Sequence, residues 1–375
     1  MSPHPLSATT SPTATVIADS VSVDGSRVVT VEVRHHRFAL AEFNTHSHAK
    51  NSASTRAIPS AKIIAGLIAD CAYPVEFGVN QPGMQAGPPL TGRRQTEAMT
   101  VWCRGALNAI QTTLELMTSP SIVADELSCF AASSLAQIGG VSLWDHDLIL
   151  SDGQAFERIL SCRPDVQLFV ESVLTAAADA DPDTILNVHK QIAGRPLEPY
   201  SWHVSVHTAH LHGVGSSWEN LFAQRCTPAS GKRLAQPEFA DAADAARTAI
   251  EASTPVLLAP GEWHMPYLRP DDRSTLDVDQ LLAVSVGRVA RTSYVTQNGL
   301  RDVVEDLLLF LRLALARPPH WSPFEHVATP APSGGTGRIP QWTTLRHHHS
   351  RLAGLVDSIW SSVPAEEIER VGLSR

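Results

Sequence analysis

VIADSVSVDGSRVVTVEVRHHRFALAEF, residues 16–43, is the stretch that decides the fold class. Two alternating runs, 16–23 and 26–43, flank Asp24-Gly25, a dipeptide suited to a tight turn, so the stretch predicts an antiparallel strand pair. Arg34-His35-His36-Arg37 falls inside the second run, where one strand face would hold it in solvent. Next comes EFNTHSHAKNSASTRAIP, Glu42 to Pro59, too polar and too rich in small residues to read as a core element. Small residues let backbone N–H groups approach an anion, and Arg56 can grip an oxygen pair as a bidentate fork, so this loop suits a phosphate. The plainer reading is an exposed Ser/Thr loop that caps the helix after it.

Outward from these two stretches, helical spacing predicts helices over 60–72, 96–117, 184–193, 277–293, 300–316 and 351–360. Residues 220–252 read as helix with a break around 228–231, and 118–182 read as mostly helical without a chemical signal. SWHVSVHT, 201–208, alternates as a strand; 73–89, 320–332 and 334–340 read as loops punctuated by Gly and Pro. Together these predict an α/β (α+β) protein, with one domain over 16–365 behind a disordered tail at 1–15.

The 375 residues are 43% hydrophobic and 18% charged, as in soluble globular chains. A formal charge of −9 argues against a binder of nucleic acid polymers, and no apolar run approaches the ~18 residues that span a membrane. The first fifteen residues lack the charged and apolar regions of a signal peptide. Cys71, Cys103, Cys129, Cys162 and Cys226 are scattered without CxxC spacing, which predicts reduced thiols and a cytoplasmic location. His203, His207, His210 and His212 match neither a helix face nor a zinc knuckle, so no metal is assigned. Gly231-Lys232 lacks the preceding glycine of a phosphate loop, which argues against an ATP site. His347-His348-His349 reads equally as solvated surface or as a basic patch near a cofactor.

Four polar clusters carry chemistry: NTHSHAKNSASTRAIP (44–59), HKQIAGRPLEPYSW (189–202), NLFAQRCTPASGKRLAQPE (220–238) and HWSPFEH (320–326). With PVEFGVNQPGMQA (74–86) and VARTSY (289–294), they resemble, in one order, the motifs of the phage-type flavin-dependent thymidylate synthases. The resemblance spans about 16–330, leaves 118–182 as an insertion, and puts VARTSY and SPFEH after the first cluster, a permuted order relative to most of that family.

The resemblance implies a mixed sheet with long helices and a homotetramer with sites at subunit junctions. It implies FAD as cofactor, methylenetetrahydrofolate and NADPH as co-substrates, and methylation of dUMP to dTMP. A related pyrimidine nucleotide such as UMP, or a catalytically silent nucleotide-binding relative, stays open as an alternative. By position, Glu42, Ser54, Thr55, Arg56, Arg195 and Arg225 would bind the nucleotide, with Arg56 and Arg225 catalytic. His46, Ser47, His48, Lys50, Asn51, Asn220, Gln236, His320, Ser322 and Glu325 would contact cofactor, and Cys226 would be a packing residue and not a nucleophile. The chain departs from the family at Thr45-His46-Ser47, where relatives carry arginines for the flavin phosphates. His48, Lys50, Arg34 and Arg37 are the nearby groups that could compensate.

Overall fold

Strand β2 (Arg27–His36) is the element around which the computed structural model is built. It pairs antiparallel with β1 (Thr13–Ser22) on one side and with β4 (Trp202–Leu211) on the other. The structure describes residues 11–131, 137–138, 141–142, 163–211, 217–223, 234–294, 302–331, 334–335 and 339–374. Short strand β3 (Ala49–Ser52) pairs antiparallel with β4, and β5 (Val256–Leu258) runs parallel to β1. The result is a mixed five-stranded sheet in the order β3-β4-β2-β1-β5.

Both faces of β2 are covered. On one face Val29, Val31 and Val33 meet Phe239, Ala242, Ala243 and Ala246 of α8 (Pro237–Glu251), whose alanines let the helix lie close to the strands. On the other, Val28 packs with Ile339 and Trp342 while Val206 packs with Tyr267 and Val289. A strand buried on two sides reads as a near-continuous apolar run, which explains VVTVEV. The expectation that one face of β2 stands in solvent is therefore corrected: His35 is 0% and His36 1% exposed.

Two further helical groups flank the sheet and α8. Helices α2 (Ser60–Ala69), α3 (Arg93–Met117), α4 (Pro120–Ala131) and α5 (Arg163–Asp179) share a core of Ile64, Ile110, Leu114, Phe169 and Val173. Helices α10 (Val278–Ala290), α11 (Val303–Leu315), α12 (His349–Ser362) and α13 (Ala365–Arg370) form another around Leu282, Phe310, Leu311, Leu355 and Ile359. Gly287 permits the close contact of α10 with α11, since a Cβ there would stand 2.5 Å from the Asp306 carbonyl oxygen. Buried Arg288 on α10 donates from Nε to Asp306 (2.8 Å) and from Nη2 to Asp272 (2.9 Å), so its charge is fully paired. The short helices α1 (Leu40–Asn44), α6 (Lys190–Ala193), α7 (Ser217–Ala223) and α9 (Pro270–Thr275) lie in the connections.

Several sequence expectations shift. β1 begins at Thr13, inside the stretch read as tail, because its first residues pair with Arg34 and Val33 of β2. The second alternating run stops at His36 and turns through Arg37–Ala39 into α1. The polar stretch 42–59 is not all loop, since Ala49–Ser52 is an edge strand with Ala49 and Asn51 buried. Of the helix expected over 184–193 only the final turn forms. Asn187 takes φ 45°, and the N–H groups of Leu186 and Val188 donate to Thr118 O and Leu116 O, holding that segment extended along the end of α3. Among the described residues of 118–182, α4 and α5 bear out the helical reading, beside a two-residue ladder at Gln137–Ile138 and Val141–Ser142; residues 132–136, 139–140 and 143–162 lie outside the described residues. No helix among the described residues is long and apolar enough to cross a membrane.

Candidate functional site

The polar stretch divides its residues between two places. Glu42, Thr45 and His46, on and just after α1, line a cleft of about 1010 Å³. The rest of its wall comes from three other parts of the chain: Val75, Glu76, Gln81 and 84–89, then Asn220 on α7, then 234–237 with Phe239, Ala240 and Asp241. Local sequence accounts for each wall. Pro237 starts α8 at its first position, where a missing N–H costs nothing, and so fixes Gln236 at the rim. Residues 77–90 fold back on themselves through Val79 N to Pro88 O (2.9 Å) and Gly87 N to Val79 O (2.8 Å), with Gly83 at φ 98° in the turn. Gln85 Nε2 then donates to Leu234 O at 2.8 Å, which ties this flap to the entry of α8. The His46 ring stacks on Phe239, centroids 5.4 Å apart at 13°. The lining carries the carboxylates of Glu42, Glu76 and Asp241 and, among the described residues, no arginine or lysine.

The second place is a cationic cluster beyond the edge strand. Ser54 turns the chain, its carbonyl accepting the N–H groups of Ala57 (2.9 Å) and Ile58 (3.0 Å) while its own N–H donates to Ser293 O (3.0 Å). Thr55 Oγ1 donates to Glu198 Oε1 at 2.8 Å, Arg195 Nη1 reaches the same oxygen at 2.8 Å, and Arg37 Nη2 does so at 3.1 Å. Lys190 Nζ donates to Ala57 O at 2.9 Å, and Arg56 projects exposed from the same turn. Burial lowers the pKa of Arg37 from its ordinary value, opposed by the neighbouring Glu198 carboxylate.

Between cleft and cluster the sheet carries a row of buried imidazoles. The registers β2–β4 and β3–β4 put His35, His203, Ser205, His207 and Lys50 on one sheet face. Ser205 Oγ bridges His35 Nε2 (3.0 Å) and His207 Nε2 (2.8 Å), and His48, beside Trp218, donates from Nε2 to Ser217 O (3.0 Å). On the opposite face a hydrogen-bonded chain runs from Ser20 through His264, Thr30 and Thr208 to His326. Burial drives these rings toward the neutral form: the pKa values of His35, His36 and His264 fall to about 4, those of His48 and His326 to about 3, and His203 and His207 sit well below 6.5.

Of the residues singled out from sequence, the cleft gathers Glu42, His46, Asn220 and Gln236, and the cluster gathers Ser54, Thr55, Arg56 and Arg195. Ser47, His48, Lys50 and Asn51 line neither: Ser47 accepts from Ser217 Oγ at its carbonyl, His48 is buried, and Asn51 Nδ2 donates to Val289 O (3.2 Å), tying β3 to the end of α10. His320 and Ser322 are exposed at the 322–325 turn, which packs against β3, and Glu325 pairs with Arg346. Arg225 and Cys226 lie outside the described residues, as does His212. His203 and His207 share one sheet face while His210 lies on the other, and no metal-holding group of three or more His, Cys, Asp or Glu occurs among the described residues.

Glu198, Phe239 and Glu76 carry parts of the two sites that the sequence reading did not assign. For Glu198 a signal was present, because it follows Arg195 by three residues, a spacing at which a helical turn brings opposite charges together. Comparison of the chain with protein-family models, with curated proteins and with solved structures returned no match.

Proposed function

We propose that this chain is a flavin-dependent methyltransferase acting at C5 of a uridine nucleotide, dUMP to dTMP in the simplest case, with methylenetetrahydrofolate as carbon donor and NADPH as reductant. The observation that carries the reading is convergence. Glu42–His46, the NQPGMQA flap, Asn220 and Gln236 are far apart in sequence, belong to separate motifs resembling that family, and line one cleft. The cationic cluster supports a separate place for the nucleotide, with Arg195 and Arg56 available for a phosphate or an anionic uracil. A dianion buried without such partners would be costly.

FAD fits the cleft in part. The wall formed by Phe239, His46, Val75 and Met84 suits a planar heteroaromatic ring, and the volume is that of a cofactor site. When bound, FAD supplies the hydride that completes the methyl group. The chain's own residues hold the anion, orient the pyrimidine and stabilise charge developing on it, a task of positioning and electrostatics. Thiol attack has no part in this reading: Cys71 and Cys103 are buried and line neither cleft nor cluster. A homo-oligomer, up to a tetramer, would let a second subunit bring the exposed His320 and Ser322 to the cleft. Light scattering at micromolar concentration checks this, and a 40.4 kDa species alone counts against it.

One observation favours a second reading, a nucleotide-binding relative without flavin chemistry. The described cleft wall offers three carboxylates and no cation to a flavin diphosphate. Flavin absorbance of the purified protein and tritium release from C5 of labelled dUMP or UMP, with FAD, NADPH and methylenetetrahydrofolate present, decide between them. Release above background supports the methyltransferase. Colourless protein that releases nothing from either nucleotide supports the second reading.

A further inference from the structure

One oxygen, Glu198 Oε1, collects Thr55, Arg195 and Arg37. These donors come from three segments that the sequence holds far apart: the turn after β3, the turn after α6, and the end of β2. Arg37 is anchored from behind, its backbone N–H on Ser201 O (3.0 Å) and its Nη1 on His203 Nδ1 (2.8 Å), so Glu198 is gripped by a fixed group. Arg195 is different. Its side chain is 47% exposed, with Nε on Gln191 O (3.1 Å) and Nη1 on Glu198. That leaves Nη2 directed to neither partner. Two guanidiniums share one carboxylate, so the cluster keeps a net positive charge before Arg56 is counted.

Resting on the reading that this cluster takes the nucleotide, we propose that Glu198 is its positioning residue, fixing Arg195 for an incoming oxyanion while Thr55, whose one hydroxyl proton goes to the carboxylate, holds Glu198 in place. An exposed arginine gives up rotamer freedom when it binds a ligand, and an anchor that holds it beforehand moves that loss into the free protein. The carboxylate itself repels the ligand. It acts through Arg195, and the hydrogen bond that fixes that guanidinium must outweigh the repulsion.

Calorimetric titration of dUMP, with UMP in parallel, into the full chain and its variants tests this. Arg195→Ala removes a charge-assisted contact and weakens dUMP by about 10–100-fold. Glu198→Ala weakens it by roughly 10-fold through the loss of pre-organisation. Glu198→Gln, which keeps an acceptor oxygen for both donors, recovers most of that loss. The double variant Glu198→Ala/Arg195→Ala binds no more weakly than Arg195→Ala alone, because Glu198 acts through Arg195. A purely structural role would instead make the two losses multiply.

Melting curves establish which variants fold. If Glu198→Ala does not, Glu198→Gln and Thr55→Val carry the test, Thr55→Val weakening dUMP about threefold by removing one donor from the carboxylate. Wild-type affinity in Glu198→Ala, multiplying losses, or tighter binding by Glu198→Gln, which would mark Glu198 as a competitor for the cations, each overturn the proposal and leave the nucleotide reading standing. A folded wild-type protein that takes up neither dUMP nor UMP overturns both.

Discussion

The cleft and the cationic cluster both draw residues from the single stretch Glu42–Pro59, yet they are opposite in character. The cleft presents Glu42, Glu76 and Asp241 around a stacked His46–Phe239 pair. The cluster presents Arg37, Arg195, Arg56 and Lys190 around one carboxylate. Edge strand β3 divides them, and its neighbour β4, with β2 beyond it, carries the imidazole row that fills the space between. The contrast is one of charge and shape: the cluster concentrates positive charge, whereas the cleft offers a ring-stacking wall and hydrogen-bond acceptors.

Protonating the sheet between the two sites breaks both at once, and it is the largest effect expected. His35, His36, His48, His264 and His326 have folded pKa values of about 3 to 4, lowered by burial. The unfolded chain, with histidines near 6.5, binds more protons between pH 6.5 and 4, so stability is present above pH 6.5 and is lost as pH falls through that window. Each such ring contributes a slope of about 1.4 kcal/mol per pH unit. Five together are comparable to the usual stability of a domain within two pH units. Circular dichroism on acid titration should show cooperative unfolding above pH 4, with an uptake of several protons. A fold intact at pH 4 would mean that the rings are charged or solvated in the native state.

Phe239→Ala breaks the cleft alone. The ring is 4% exposed and packs on Phe43 and His46, so its loss costs about 3–5 kcal/mol in melting experiments. Flavin uptake should fall while dUMP titration at the cluster persists; equal loss of both would show that the two regions are one site. Arg56→Ala breaks the cluster alone. Because Arg56 is exposed, melting should be unchanged, and tritium release should fall by about 10²–10³-fold. Cys226→Ser should leave most of that release in place. The smallest effect sharpens the charge contrast. Glu76→Gln with Asp241→Asn removes two exposed carboxylates from the cleft and should tighten flavin by only about twofold, since solvent and salt screen such groups. A tightening above tenfold would make cleft charge the main barrier to the cofactor.

Much of this arrangement was legible in the chain. The Asp24-Gly25 hairpin, the long helices α3, α10, α11 and α12, and the grouping of His46, Asn220 and Gln236 follow from periodicity and from motif resemblance, whereas Glu42, expected beside Arg56 and Arg195 at the nucleotide, lines the cleft instead. What misled was polarity. Arg34-His35-His36-Arg37 and NTHSHAKNS look solvated, yet His35, His36, His48 and Asn51 are buried. A polar side chain goes inside when distant segments supply its partners. Here they are Ser205 for His35, Tyr73 O for His36, Ser217 O for His48 and Val289 O for Asn51.

The sequence by itself determined the local elements, because hydrophobic period, turn residues and caps act over a few residues and are written where they act. It determined the chemical inventory of the two sites for the same reason. Only the tertiary structure decided that β2 is covered on both faces, that the 42–59 stretch contributes to two separate places, and that the local Arg195–Glu198 pair meets Thr55 and Arg37. Those outcomes depend on hydrogen bonds and packing between segments more than a hundred residues apart. No local pattern encodes the partner at the far end of such a contact, and the sheet register and helix packing alone bring it within reach.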